Sequence, residues 1–536
     1  MRERFVRKNS RHVTVVIVGN VLTAAVGSTG TQVEASVVRG AVVVVTLVTD
    51  GVIDRVRFAT IQSRRRHRTR RHNQICTRVN RDGIVVGVVV VGGQSDDGDD
   101  GMTPDITIGR GSAKTSSPTM APVPLSSLLT TEELYQAIDE YLVTKASPNS
   151  LTAKKYGWPM NEWDVSQIED MSHLFDSNRN AAAEFFDEPL DNWNTGKVTD
   201  MSYMFAHTSA FNQSLAGWNV RRVATMEGIF QHTNSFDQDL STWETNNLKN
   251  LEMAFMNAKS FRQGVGAWNV ARVTSFKSLF DGAMSFSEDL DEWTTNSVTD
   301  LTRTFAGALM FNGNVSSWDT SKVTSLEETF ADASRFDQPV GEWSTSNVQS
   351  LKGTFGNATL FNQPLNGWDV ANVETLRGVF QGTALFNQDL NLWQTSKVTD
   401  TSFAFDMASR FNGDISTWDT KSVTEMVLMF SRAPAFNGAI GGWNVASVRL
   451  MQRMFWGAVS FNQDLASWDV HNVRIMLGMF DGASSFDQNL CSWGPIVGFY
   501  AGPQQQFGGM FPGTACPTQE DPDRANVPLG PFCHVC

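Results

Sequence analysis

Buried-type and polar-type positions recur along most of this chain with a period of 25 residues, and several of them form columns of one residue type. Trp193, Trp218, Trp243, Trp268 and Trp293 open a series that continues to Trp493. A Phe column runs through Phe211, Phe236 and Phe261 to Phe486, and a second from Phe230 to Phe480. Leu215, Leu240, Val265, Leu290 and Val315 begin an aliphatic column, and small residues such as Ala258, Ala283 and Ala308 follow the second Phe. Self-similarity at such a period predicts a solenoid, in which each repeat is one coil that buries its apolar side only against its neighbours. Two spacings alternate inside a repeat. Trp218-x-Val220 has the period of two of a strand, whereas Met226, Phe230 and Thr233 follow helical spacing. The expected coil is therefore a short parallel strand plus a short helix. Counting the coil centred on Trp163, about fourteen coils at strand spacing make a stack about 65–70 Å long.

The flanks read differently. Thr130 and Glu133 form an S/T-x-x-E capping box, with Leu134, Ile138, Tyr141 and Leu142 on one face of the helix that follows. Residues 126–162 thus predict an N-terminal cap, 163–493 the repeat array, and 494–536 a cysteine-containing C-terminal cap. Residues 102–125 read as a linker rich in Ser, Thr, Pro and Gly. Residues 1–101 alternate valine runs with arginine runs such as Arg64–Arg71, and the basic start followed by the apolar run Val13–Ala25 has the pattern of a secretory signal. No apolar run reaches the length of a confident transmembrane helix.

Charge sharpens this picture. Residues 1–101 hold 16 Lys/Arg and 9 Asp/Glu (+7), so the remaining 27 and 47 give the rest of the chain −20. An array that acidic argues against a nucleic-acid groove, which needs cations facing phosphate. Of five cysteines, Cys491, Cys516, Cys533 and Cys536 fall at or beyond the last repeat. They predict disulfides in an oxidising compartment, with three pairings open, over a zinc site, for which only Cys533 and Cys536 have the spacing.

The pattern Leu215-x-x-Trp218-x-Val220-x-x-Val223-x-x-Met226, closing with Phe230 and Thr233, resembles the BspA-like leucine-rich repeats. Trp318-Asp319-Thr320-Ser321-Lys322-Val323-Thr324 and Phe361-Asn362-Gln363-Pro364-Leu365 are similar to the DUF285 repeat of mycoplasmal and microbial-eukaryote surface proteins. The resemblance covers 163–493; Thr401 in the Met/Leu column and five extra residues near Asn178–Ala183 depart from it. It implies a leucine-rich-repeat-like α/β solenoid at a cell surface or secreted, with an interaction or adhesive role and no catalytic residues.

Candidate chemistry is sparse. The polar residue after each Trp, on the side of the strand opposite to it, is the expected ligand face: Asn219, Glu244, Asn269, Asp319, Asp369, Asp419, Asn444 and Asp469. A second column (Asn212, Asp237, Asn312, Asp337, Asn362, Asn387) predicts an asparagine ladder at a corner, with calcium binding as the sharper alternative. There is no G-x-S-x-G, P-loop or H-E-x-x-H, and the histidines follow no column. The expectation is a non-enzymatic protein without catalytic residues, resident metal or cofactor, binding a protein or glycan at a cell surface. A carbohydrate-binding or carbohydrate-active protein on the same scaffold is the alternative.

Overall fold

In the computed structural model, the described residues are 126–144, 147–262, 264–495, 506–523 and 529–536, together with the backbone of three N-terminal strands. These strands, β1 (His12–Ile17), β2 (Asn20–Ala25) and β3 (Val43–Val45), form an antiparallel sheet of order β2-β1-β3 in a compact unit spanning Met1–Pro118. The Arg64–Arg71 cluster, Cys76 and the 102–125 linker lie outside the described residues. A second unit, Thr119–Cys536, holds everything else.

That unit opens with α1 (Thr131–Thr144) and α2 (Leu151–Tyr156). Thr130 Oγ1 accepts the Glu133 N–H at 3.1 Å, and Glu133 in return accepts the Leu129 N–H, closing the first turn. The same carboxylate receives Lys155 Nζ at 2.8 Å and the Tyr156 hydroxyl at 2.6 Å, tying α1 to α2. The Lys155 contact first, then the Tyr156 hydroxyl, lower its pKa to about 2. The buried face of α1 covers the first repeat: Tyr141 meets Trp163 edge-on at 5.5 Å, and the Tyr135 hydroxyl donates to the Ser172 carbonyl.

The repeats depart from the expected strand plus helix. No described repeat contains a helix longer than the 3-10 turn Ala181–Ala183, and Trp218–Val220 joins no strand. Inward and outward side chains do alternate there, since Trp218 and Val220 are buried and Asn219 is exposed. Its backbone, however, pairs with the neighbouring repeat through a side chain. The Thr195 hydroxyl accepts the Asn219 N–H at 2.9 Å and donates to the Asn219 carbonyl at 3.1 Å. The direct contacts between repeats lie further along, at parallel bridges 25 residues apart such as Asp200↔Thr225 and Thr375↔Asp400.

From each bridge onward, alternate N–H groups have two destinations. Met201, Tyr203, Phe205 and His207 donate to the carbonyls of Thr225, Glu227, Ile229 and Gln231 in the next repeat at 2.7–3.0 Å. Met204, Ala206 and Thr208 donate to carbonyls three residues back in their own repeat. An α-helix would need every N–H bonded four residues back and every φ negative. Here φ turns positive twice per repeat, at Tyr203 (55°) and His207 (60°), and again at Arg303 (57°) and at Asp332 (59°). Helical spacing along the sequence thus encodes a ladder of tight turns, in which the donors from Met201 to Thr208 all find acceptors, Ser202 on the Asp200 carboxylate, without helix or extended strand.

The two Phe columns form continuous files inside the array, and the Trp column stacks in shorter runs. Trp318 lies 6.1 Å from Trp293 and 6.0 Å from Trp343, with planes within 2° of parallel. Phe311–Phe336 and Phe305–Phe330 stack at 5.8 and 5.6 Å. From Trp218 to Trp493 each column Trp also donates its indole N–H to a carbonyl of the aliphatic column in the preceding repeat, as Trp318 Nε1 does to the Leu290 carbonyl at 2.9 Å. The core is therefore one cluster from Leu128 to Cys533.

The turn ladder continues one step past the last Trp. Met476, Gly478, Phe480 and Gly482 donate to Gln506, Gly508, Met510 and Pro512, and Phe511 stacks on Phe480 at 5.7 Å. Phe507-Gly508-Gly509-Met510-Phe511 repeats the Met476-Leu477-Gly478-Met479-Phe480 pattern, within the segment expected to be cap alone. Beyond it, Cys491 is bonded to Cys536 and Cys516 to Cys533. Asp487, Cys533 and His534 converge nearby, but the Cys533 sulfur is already in its disulfide and is no thiolate for zinc.

Candidate binding face

The column after Trp is on the surface: Asn219, Glu244, Asn269, Asp319, Asp369, Asn444 and Asp469 are exposed, and Asp419 is half-buried. Seven of the eight share a local task. Their Oδ1 atoms accept the N–H two residues on, at 3.0–3.2 Å, as in Asn219 with Arg221 and Asp369 with Ala371. These are Asx turns, which fix the corner after the Trp. The Ser321 hydroxyl and N–H hold the Asp319 carboxyl below its usual range, and Lys421 Nζ at 2.7 Å does so first for Asp419. Glu244 instead pairs with Arg221, its Oε2 lying 2.8 Å from Nε.

The second column builds the expected ladder. Asp337 Oδ1 accepts the Asn362 N–H, Asn362 Oδ1 the Asn387 N–H and Asn387 Oδ1 the Asn412 N–H, each at 2.8–2.9 Å. The following Gln reinforces it: Gln388 Nε2 reaches the Asn362 carbonyl at 3.0 Å and its Oδ1 at 3.1 Å. Oxygens engaged in this way face backbone donors along the stack, which accounts for the column without an ion. Asn362→Ala should cost about 1 kcal/mol by removing the acceptor of the Asn387 N–H. Asn362→Asp should cost clearly less, because Asp337 already does the same work. Urea unfolding of the two variants checks this; equal losses would rule out an acceptor role.

A third surface is the turn ladder itself, and its positions were not singled out by the sequence pattern. Between the Met/Leu and Phe columns, the outer positions change chemical class from repeat to repeat. One of them reads Tyr203, Gly228, Met253, Ser278, Arg303, Glu328, Gly353, Gly378, Phe403, Leu428, Arg453 and Gly478, all at φ between 52° and 63°. For an L residue this conformation costs roughly 1–2 kcal/mol, yet bulky residues occupy it repeatedly. The signal available in the sequence was this variability inside an otherwise fixed frame.

Side chains on this face interact along the stack. His173 stacks on Tyr203 at 5.0 Å and His207 on His232 at 4.7 Å. Burial, and next the adjacent His207, hold the His232 imidazole below its usual pKa. In the middle, Arg303 bridges Asp281 and Glu328, while Lys352 lies 2.5 Å from Glu327. Towards the C-terminal end, Arg432 binds the buried Asp406 with both carboxylate oxygens at 3.0 Å. Arg432 and Arg453 also lie over the half-buried Trp456 ring, at 5.4 and 5.2 Å. Exposed Leu477 and Val459 sit in the neighbouring turns. The arrangement offers hydrogen bonding, charge of both signs and an aromatic–guanidinium anchor on one ordered strip.

Among the described residues, no helix is long and apolar enough to cross a membrane. No curated protein and no solved structure matches the chain. The family described as Mycoplasma protein of unknown function, DUF285, matches it in five overlapping segments, residues 140–268, 178–292, 225–334, 274–393 and 374–493. Those segments span the turns, bridges and ring files as far as Trp493, and the chain belongs to the DUF285 repeat family.

Proposed function

We propose that the repeats form a continuous leucine-rich-repeat-like solenoid of the BspA-like kind, and that the protein is a non-enzymatic binding protein whose turn-ladder face is its recognition surface. Secretion or display at a cell surface is part of the proposal, supported by the two disulfides, which persist in oxidising compartments. The observation that carries the reading is the contrast between columns. The ring files keep their chemistry throughout and the Asn/Asp ladder does so except at Arg262 and Ser287, whereas the turn face varies among Tyr, Arg, Glu, Phe and Gly at fixed backbone geometry. Variation on a rigid frame gives multipoint recognition at low ordering cost, and an Arg–Trp cluster such as Arg432, Arg453 and Trp456 has hot-spot composition.

Spacing between repeats supports the same face. Rings of equal orientation are displaced by the local repeat-to-repeat distance, 6.0 Å for Trp318–Trp343 and 5.8 Å for Phe311–Phe336. The turn ladder is joined by direct backbone bonds, which hold chains about 4.7–4.9 Å apart. Turns held at that spacing beside rings displaced further would bend the stack with its turn face inward, so that one ligand touches several repeats. Against immobilised panels of proteins and glycans, replacing both Arg453 and Trp456 by Ala should weaken bound ligands by about tenfold or more. Asp369→Asn with Asp469→Asn, which keeps the Asx acceptors, should leave them bound. The reverse pattern would place recognition on the column after Trp instead.

A further inference from the structure

An open notch interrupts the turn face, lined by Glu328, Lys352, Gly353, Arg377, Gly378, Gln381 and Phe403. It exists because two successive repeats carry Gly where their neighbours carry Glu328 and Phe403, so the backbone at Gly353 and Gly378 forms the floor. The walls are preorganised. The Arg377 guanidinium lies over the Phe403 ring at 4.9 Å and is held by Asp400 at 3.2 Å. Glu328 is fixed by Arg303, and Lys352 Nζ sits 3.8 Å from Glu328 Oε1. Gln381 is anchored through Nε2 to Asp406 at 3.1 Å.

This lining discriminates between ligand classes. An anion would meet Glu328, a cation would meet Lys352 and Arg377, and an apolar anchor would find Phe403 alone. A group whose hydroxyls both donate and accept can use acids, cations and an amide together. Its C–H face can also lie against the guanidinium–phenyl stack, whose aromatic partner attracts polarised C–H bonds. We infer that the notch is a subsite for one residue of a neutral saccharide, with Glu328 accepting from its hydroxyls and Lys352 and Arg377 donating to them. The inference rests on the turn face being the binding face, and it gives that face a ligand chemistry.

Gly378→Leu tests it directly. A Cβ at Gly378 meets nothing nearer than Gln381 Oε1 at 3.5 Å, and Leu428 already occupies the same column at φ 55°. The variant therefore fills the notch while keeping the turn. Gly509→Leu is the matched control, in the same column at φ 66° with open space around the added Cβ. The full chain, presented to an array of neutral, sulfated and uronate-containing oligosaccharides, should bind a neutral subset. Gly378→Leu and Glu328→Gln should each weaken that binding by about tenfold or more, with unchanged melting for Glu328→Gln and unchanged binding for Gly509→Leu. Binding of acidic glycans alone, of no glycan, or of neutral glycans equally by Gly378→Leu would overturn the saccharide subsite. If protein ligands sensitive to Arg453 and Trp456 persisted in those cases, the turn-face reading would stand without it. Insensitivity to both sets of variants would remove the turn-face reading itself.

Discussion

Replacing Trp318 by Ala should destabilise the repeat array by about 5 kcal/mol, the largest effect expected of any single ring in the stack. Two losses combine. The ring is buried between Trp293 and Trp343 and touches Phe276 at 5.5 Å and Phe305 at 5.9 Å, so truncation opens a cavity bounded by four other rings. Its Nε1 is also the second donor to the Leu290 carbonyl, beside the Trp293 N–H, and Ala leaves that buried carbonyl one donor short. Trp318→Phe separates the two terms, since it keeps most of the ring and removes the N–H, and should cost about 1–3 kcal/mol. Stability in such arrays is a sum of repeat and nearest-neighbour terms. The Ala variant should therefore lose cooperativity as well, its urea transition splitting or its slope falling as the segments on either side of residue 318 unfold separately. A loss below about 2 kcal/mol with an unchanged slope would show that the files are not what couples the repeats.

The same residue shows what the sequence could and could not disclose. That Trp318 is buried, and that its neighbours in the file are Trp293 and Trp343, follows from periodicity alone, because one repeat can hide a Trp only behind its copies. The alternation Trp218 in, Asn219 out, Val220 in was equally legible. The backbone was not. Spacings of three and four at Met226, Phe230 and Thr233 are shared by a helix and by consecutive tight turns, and only hydrogen-bond destinations separate them. Positive φ at Tyr203 or Leu428 is invisible in a sequence, since neither residue favours it; Gly228 and Gly378 in the same column were the one compositional trace. The candidate surface was displaced for a related reason. Conspicuous polar columns attract attention, yet Asn219 and Asp369 are engaged in Asx turns of their own backbone. The positions free to differ, such as Arg453 and Trp456, look like noise until the ladder brings them onto one strip.

Removing both disulfides should loosen the C-terminal end while leaving the middle of the array protected. By loop-closure entropy, the 45-residue separation of Cys491 and Cys536 corresponds to about 4 kcal/mol, and the 17-residue separation of Cys516 and Cys533 to about 3 kcal/mol. The bridges act where the array is weakest. The last turns, Gln506 to Pro512, have a preceding repeat to bond to but no Trp of their own, and the segment after them closes the end by laying Phe532 edge-on against Trp493 at 6.3 Å. An end repeat has one neighbour instead of two, so it frays first unless something else ties it down. In the Cys491→Ser, Cys516→Ser, Cys533→Ser, Cys536→Ser variant, the amides of Met476, Gly478 and Phe480, which donate into that last ladder, should exchange roughly a hundredfold faster. The amides of Phe330 and Phe355, which donate to Thr354 and Val379 deep in the stack, should keep their rates. Reducing the native protein should reproduce the pattern, since the bridges and not the serines are the cause. Unchanged exchange at Phe480 would mean that ring stacking of Phe511 on Phe480 closes the end unaided. Uniform acceleration along the chain would mean that the end and the middle unfold as one body, with coupling between repeats stronger than a nearest-neighbour stack allows.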